Sequence, residues 1–454
     1  MSKILFLSQP ALGHVNPLLN IALQLKEEGH DVRFLIPGVK NYDTKIKILQ
    51  NLTAAPEHVE NAGIRADVVK PHIKLLLKAP LIPLTKGLKE MHFVAGVFSD
   101  GLPYYTKKLL DYFQEWQPDA IVHEYLFFAA NIAADLEKIP YVCVYHTGLP
   151  FYGPQVPPFA SGLEITAETS PEKEKLIAQE KKFLPKVDAK INAARAHFGL
   201  EPLASNILRR PYSSWLNLVL SHEKIEAERS QLGENTLYIG PSFSKRKDIE
   251  AGDFPFDKLD KTKYKVYVSL GTIFNNKPQI FRKIMNALDN DVYQVIISGG
   301  GAFKTLQKGK VPANCLLFES VPQVDLLPEI DLFITHGGNN STNEALTAGK
   351  PLVVLPVGGE QNDNRQKIEH IQAGLGFDID DFDKEDIAEN IEAIRENKIF
   401  SDTAARAQKY FAETDAPLTS ARLICWLIEN KKPFQRKKSL PYTITKHNFN
   451  EYLR

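Results

Sequence analysis

The sequence is poor in cysteine, with three in 454 residues: Cys143, Cys315 and Cys425. The number is odd, the spacings are wide and no C-x-x-C pair occurs. That excludes a disulfide framework and a cysteine-based zinc site. All three stand in apolar runs and read as reduced core residues, which points to the cytoplasm. A surplus of either charge is also missing. Lys+Arg and Asp+Glu both number 55, so a nucleic-acid partner, which would call for a basic excess, is not expected. Long hydrophobic runs are absent too: nothing approaches the roughly 18 apolar residues of a membrane span. The opening stretch, Met1-Ser-Lys-Ile-Leu-Phe-Leu-Ser8, has too short an apolar run for a signal peptide, and polar Gln9, His14 and Asn16 follow at once. It reads as a buried first strand. Neither a P-loop nor a G-x-G-x-x-G fingerprint occurs, which disfavours a Rossmann dehydrogenase.

What is present fits a globular protein of two domains: 43% hydrophobic and 24% charged residues in a chain too long for one core. The first half has an α/β rhythm. Ile4–Ser8 reads as a strand, Gln9–Asn16 as a loop, and Pro17 as the first turn of a helix carrying Leu18, Ile21, Ala22 and Leu25 at helical spacing. Gly29 closes that helix and Val32–Ile36 is the next strand. Residues around 65–115 mix lysines with apolar and aromatic residues and read as amphipathic helices, or as a greasy acceptor pocket or a membrane-facing lip. Ala120–Val122 and Tyr141–Tyr145 are further strands, and Gly162–Gly199 is helical. In the second half Lys265–Leu270, Val292–Ser298, Cys315–Phe318, Leu332–Thr335 and Leu352–Leu355 repeat the strand rhythm. The expected fold is α/β, with two doubly wound, Rossmann-like domains facing each other across a cleft. The divisions are 1–241, a charged linker 242–263, a second domain 264–430 and a basic tail 431–454 that packs loosely back on the first. The tail's seven Lys/Arg against one acid also allow contact with an anionic membrane.

The segment richest in chemistry is Thr335-His-Gly-Gly-Asn-Asn-Ser-Thr-Asn-Glu-Ala-Leu346, which follows an apolar strand and opens a helix. Gly337 and Gly338 let backbone approach a ligand, and Asn340 and Ser341 stand at a helix N-terminus suited to a diphosphate. His336 can donate to a phosphate oxygen, and Glu344 can accept from two ribose hydroxyls. The same spacing also suits an ordinary capped helix after a glycine turn.

Joined to Val321-Pro-Gln-Val-Asp-Leu-Leu327, Gly349-Lys-Pro-Leu-Val-Val-Leu-Pro356 and Glu360-Gln361, this segment resembles the donor signature of family-one inverting glycosyltransferases of the GT-B fold. Gly13-His-Val-Asn-Pro17 is similar to their opening motif, Val268-Ser-Leu-Gly-Thr272 to their first strand of the second domain and Ile239-Gly-Pro241 to their domain boundary. The resemblance implies a hexose transfer from a nucleotide-diphosphate sugar, UDP-glucose first and a dTDP-sugar second, to a hydroxyl of a small lipophilic acceptor. It implies that His336, Asn340 and Ser341 touch the phosphates beside Gly338. Glu344 would hold the ribose, Gln323 and the backbone of Val321 would read the base, and Glu360 and Gln361 would grip the sugar. Thr147 and Thr272 would flank the donor. Ser320 stands where many members carry an aromatic that stacks on the base, which leaves uracil against thymine open.

An acceptor hydroxyl is a weak nucleophile, and a positioned imidazole speeds its attack by about 10²–10⁴. His14, in the Gly13-His-Val-Asn-Pro17 stretch, is the expected base. The resemblance places its orienting acid after the strand matching Ala120–Val122, where Glu124 is the candidate. No metal and no cofactor are expected, because a helix dipole and N–H groups can stabilise the leaving diphosphate. Asp289-Asn-Asp291, Asp378-Ile-Asp380 and Asp381-Phe-Asp383 are read as surface acids, with Asp383 and Asp386 a helix-capping pair. Two other readings compete: a non-catalytic nucleotide-sugar-binding activator of another transferase, and a nucleotide-sugar epimerase.

Overall fold

Every side chain from Ile4 to Leu7 is buried, yet alternate ones enter different cores. Ile4 and Phe6 join one cluster; Leu5 and Leu7 join another. Side chains alternate along a strand, so both faces of this sheet are covered, as a parallel sheet demands. A computed structural model gives this architecture and describes residues 1–39, 47–85, 87–151, 153–203, 212–229, 232–243, 254–271 and 275–453. The chain forms two units. One comprises Met1–Ser161, Thr166–Phe243 and Glu413–Arg454; the other comprises Gly162–Ile165 and Ser244–Ala412.

The first unit runs β1 (Lys3–Leu7), α1 (Leu12–Glu27), β2 (Asp31–Pro37), α2 (Lys47–Asn61), β3 (Arg65–Val69), α3 (Ile73–Lys78), α4 (Gly87–Ser99) and α5 (Leu102–Trp116). It continues with β4 (Ala120–Glu124), α6 (Ala129–Glu137), β5 (Tyr141–Tyr145), α7 (Pro171–His197), β6 (Leu216–Val219) and β7 (Thr236–Tyr238). Its parallel sheet has the order β3-β2-β1-β4-β5-β6-β7. The second unit runs β8 (Tyr264–Ser269), α8 (Pro278–Ala287), β9 (Tyr293–Ser298), α9 (Phe303–Gln307), β10 (Cys315–Phe318), α10 (Gln323–Leu326) and β11 (Leu332–Thr335). Then come α11 (Asn339–Thr347), β12 (Leu352–Val354), α12 (Gln361–His370), β13 (Gly374–Gly376), α13 (Lys384–Glu396) and α14 (Lys398–Ala412). Its sheet, also parallel, has the order β10-β9-β8-β11-β12-β13. The last helices, α15 (Ala416–Asn430) and α16 (Phe449–Leu453), return to the first unit.

Several boundaries differ from the sequence reading. Helix α1 starts at Leu12, so His14 lies in its first turn rather than in a loop, and Pro17 stands inside the helix. A proline there withholds only one bond, to the carbonyl of Gly13, and the buried face of Val15, Leu18, Leu19, Ile21, Ala22 and Leu25 outweighs that loss. Strand β3 was hidden among residues 65–115 because it is an edge strand whose Arg65 and Asp67 break the apolar pattern. Helix α15 was assigned to the second domain, but it packs on α1: Leu423, Ile424 and Leu427 share a core with Leu18, Ile21 and Leu25. Of the expected linker, residues 244–253 lie outside the described residues.

The tail is built in rather than loosely packed. Tyr238 of β7 donates its N–H to Tyr442 O and accepts from Ile444 N–H, both at 2.9 Å. Backbone thus covers the open edge of β7, the position where a sheet is most exposed to wrong pairing. Phe434 and Ile444 are buried, and the Arg436 guanidinium pairs with Glu234 at 2.8 Å and stacks over Tyr442. Among the described residues no helix is long and apolar enough to cross a membrane. Asp383 and Asp386 form the expected reciprocal cap of α13, each accepting the other's backbone N–H. Cys143 and Cys315 are buried, whereas Cys425 is only half-buried.

Candidate active site

In the first sheet the strand order reverses between β1 and β4. Parallel α/β sheets bind ligands outside the carboxyl ends of their strands at such a point. Three titratable side chains converge there. His14 comes from the helix after β1, Glu124 ends β4 and His146 follows β5. His14 Nδ1 lies 3.5 Å from Glu124 Oε2, and His146 Nε2 lies 3.7 Å from the same oxygen. The two imidazole rings meet edge to face at 4.5 Å. Glu124 is fully buried, whereas the His14 side chain is 23% exposed and so reaches solvent.

A carboxylate this deep needs support for its charge. Burial alone would raise its pKa, but the two imidazoles together with the field of their charges hold Glu124 down at about 2. The backbone N–H of Leu126 also donates to Oε2, at 2.8 Å. Burial, and then the neighbouring His14, push the pKa of His146 down. His123 is also held neutral by burial, at about 4, and its Nδ1 meets the Glu124 carbonyl at 2.9 Å. A sign follows for stability. Glu124 binds a proton more readily in the unfolded chain, so its contribution is present above the ordinary carboxyl range and is lost as pH falls toward about 2. Denaturant titrations should therefore show wild type losing more stability than Glu124→Gln between about pH 4.5 and 2; parallel losses would contradict the assignment.

The second sheet repeats the logic. Its order reverses between β8 and β11, and the residues after those strands form the second constellation. His336 follows β11 and is clamped by two glycines. A Cβ at Gly271 or at Gly338 would lie 2.6 Å from the imidazole ring. Burial pushes the His336 pKa down to about 4, so at neutral pH the ring carries one N–H. Gly338 is the N-cap of α11, and the first intrahelical bond runs from Thr342 N–H to Gly338 O. Asn340 and Ser341 therefore occupy the first turn, where helix N–H groups point outward. Gly338 has an ordinary φ of −59, so Gly338→Ala tests the clamp alone. It should shift His336 and weaken UDP binding about tenfold, as one lost hydrogen bond to a charged group implies; calorimetry giving unchanged affinity would remove His336 from the site.

Gln323, Ser341 and Glu344 meet as a group. The Gln323 amide donates to Glu344 Oε2 at 2.5 Å and to Ser341 Oγ at 3.3 Å, while Tyr267 OH donates to Gln323 Oε1 at 3.0 Å. Val321 precedes α10, partly buried. Glu360 occupies the N-cap position of α12, and the Gln361 side-chain oxygen accepts from the N–H groups of Val357 and Gly358 at 2.8 and 3.2 Å. Thr147 lies in the first unit, just past β5, with its hydroxyl 3.3 Å from Gly148 O. Thr272 lies outside the described residues. The sequence reading missed three supports. His146 carried no motif, although its place one residue beyond a central strand is where site residues gather. Asn364 donates to Gly337 O at 2.8 Å, fixing the glycine turn, and Asn275 ties Gly271 O to Gly301 N–H.

Residues 260–426 match the model of the UDP-glucoronosyl and UDP-glucosyl transferase family. Across nearly the whole chain, 89% of it and 92% of the relative, it is 24% identical to the uncharacterized UDP-glucosyltransferase YojK of Bacillus subtilis. These matches support a family-one glycosyltransferase. Its fold is GT-B. The calicheamicin glycosyltransferase CalG4 superposes with a TM-score of 0.73 at 18% identity over 94% of this chain and 98% of that one. The spinosyn rhamnosyltransferase SpnG, complexed with thymidine diphosphate, gives 0.66 at 17% over 94% and 99%. The same matches support a glycosyltransferase that uses a nucleotide-sugar donor.

Proposed function

We propose that this transferase moves a hexose from a UDP-sugar, UDP-glucose foremost, to a hydroxyl of a small lipophilic acceptor, with inversion and without a metal. The observation that carries the reading is His14 beside the buried, ionised Glu124. Glu124 favours the tautomer with the proton on Nδ1, which leaves the Nε2 lone pair as the base. The contact is longer than a hydrogen bond, and catalytic contacts of this kind commonly tighten when substrate binds.

Nε2 takes the proton of the acceptor hydroxyl as its oxygen bonds to the anomeric carbon. The bond from that carbon to the diphosphate oxygen breaks on the opposite face, and the nucleotide diphosphate leaves with the electron pair. The N–H of His336 and the N-terminus of α11 are suited to the charge that develops there. Gln361, its oxygen held by two backbone N–H groups, presents its NH₂ to a sugar hydroxyl. Glu344 and Gln323 take the ribose and the base. The UDP-glucosyltransferase relative supports uracil, and the thymidine diphosphate in the SpnG complex keeps a dTDP-sugar as the next donor to try. The acceptor class rests on the apolar and aromatic residues of positions 65–115. Cytoplasmic residence rests on free thiols, with Cys143 and Cys315 pushed up by burial.

The test is turnover of UDP-glucose with mixed lipophilic alcohols and phenols in chelator-treated buffer, read by mass spectrometry and by the anomeric configuration of the product. A β-linked adduct from the α-linked donor is expected. UDP binding without turnover of UDP- or dTDP-sugars across the panel would favour the activator reading. Failure to bind either nucleotide would undo the donor assignment.

A further inference from the structure

The carboxylate partner of His14 faces a second imidazole, and the distances fit something other than hydrogen bonding. Contacts of 3.5 and 3.7 Å from Glu124 Oε2 to His14 Nδ1 and His146 Nε2 exceed the roughly 2.7–3.2 Å of an N–H···O bond. They lie near the edge of a tetrahedron around zinc, about 3.4 Å for metal–ligand bonds of about 2.0–2.1 Å. The three ligand atoms all lie within 4.8 Å of one another. Glu124 Oε1 is buried with no protein hydrogen-bond partner among the described residues, so the carboxylate retains an acceptor beyond what the fold uses. Two imidazoles and one carboxylate, with one side opening to solvent at His14, form a ligand set that suits zinc and related transition ions rather than magnesium or calcium.

We propose that His14, Glu124 and His146 bind a single divalent transition-metal ion and that its binding switches the transferase off. The consequence for activity rests on the reading of His14 as the base. A neutral imidazole has one N–H and one lone pair. Metal coordination uses the lone pair on Nδ1, so the proton moves to Nε2, and Nε2 can no longer accept one from the acceptor. The ion takes over the orientation of His14 from Glu124 and removes the base in one event. His146 is the residue that makes this possible, since His14 and Glu124 alone would be a weak two-ligand site.

A second group, Glu28, His30 and Cys425, must be separated in the test. It is the poorer candidate, because both His30 nitrogens are engaged: Nδ1 accepts from Ser2 N–H at 3.2 Å, and Nε2 lies 3.4 Å from Cys425 Sγ. The experiment therefore uses the full chain carrying Cys425→Ser, stripped of metal. Zinc is titrated in competition with a chromophoric chelator. One equivalent is expected to bind, with affinity falling about tenfold or more when His146→Gln is added, at least the loss that follows removal of a mere supporting residue of a metal ligand. Each protein's turnover, relative to its own metal-free rate, should fall with zinc, recover with chelator and ignore magnesium; the His146→Gln form should need about tenfold more zinc. Equal zinc uptake with and without His146→Gln, no uptake at all, or full turnover with the site loaded would overturn the proposal. If His146→Gln fails to bind UDP or to fold by circular dichroism, cobalt bound to the Cys425→Ser protein decides instead. Intense visible bands of a four-coordinate ion support the site, and the weak spectrum of hydrated cobalt overturns it. Absent turnover in metal-free protein would count against the His14 mechanism while the binding arm still reads the metal site.

Discussion

His14→Ala is expected to lower kcat by about 10²–10⁴ and to leave UDP affinity unchanged. The imidazole is the group with both solvent access and a buried carboxylate behind it: its side chain is 23% exposed and Glu124 is fully buried. Alanine there leaves α1 intact, because Val15, Leu18, Ile21 and Leu25 supply the buried face of the helix. The loss should therefore appear in turnover, with donor binding, measured by calorimetry, serving as the control for folding. Glu124→Gln should also slow turnover, by less, because it weakens the orientation of the ring without removing it. A His14→Ala protein that retains most of its kcat would end the base assignment, and with it the inhibitory consequence of metal binding.

Phe434→Ala should destabilise the first unit by about 3–5 kcal/mol. Phe434 is 1% exposed and lies in the same core as Leu423, Leu427 and Leu237. Its ring meets Trp426 edge to face at 5.4 Å, and its N–H donates to Trp215 O at 3.0 Å. A loosely attached tail would predict almost no effect from this change. The comparison is Leu77→Ala, where the side chain is 66% exposed and the cost should stay within about 0.5 kcal/mol. Denaturant unfolding of the full chain, followed by a probe in the first unit, measures both. Equal midpoints for the two variants would show that the tail does not complete the core.

The central strands buried on both faces were the most legible from sequence. Tyr141–Tyr145 and Leu332–Thr335 coincide with β5 and β11 residue for residue. Central strands of a parallel sheet contact helices on both sides, and that environment leaves a continuous apolar run in the sequence. The edge strands β3 and β13 escaped for the converse reason, whereas the edge strand β10, Cys315–Phe318, kept an unbroken apolar run and was read correctly. Strand β3 carries Arg65 and Asp67, and β13 is Gly-Leu-Gly. Neither has enough buried side chain to write a pattern. The start of α1 was misplaced because Pro17 is a strong local signal, whereas the burial that fixes the helix is a tertiary one.

The proposed donor constellation was legible because its parts are consecutive: a strand, two glycines and a helix N-terminus fall within Leu332–Leu346, and local geometry suffices to present them. His336 needed more, since the clamp that orients it combines Gly338 with Gly271, 65 positions before it in the chain. The proposed base site was only half legible. His14 and Glu124 were candidates through resemblance, but His146 bears no local mark and acquires its partner from the register of β4 and β5.

Local sequence was enough to specify the α/β class, the division into two sheet-forming halves and the glycine turn before α11. Each of these follows from contacts or periodicities short enough to be written in neighbouring residues. Tertiary structure alone decided that α15 and the tail complete the first unit. It also decided that Glu124 is shared by two imidazoles, because parallel strands far apart in the chain set their carboxyl ends side by side. The charge of a buried group depends on what surrounds it in space rather than along the chain.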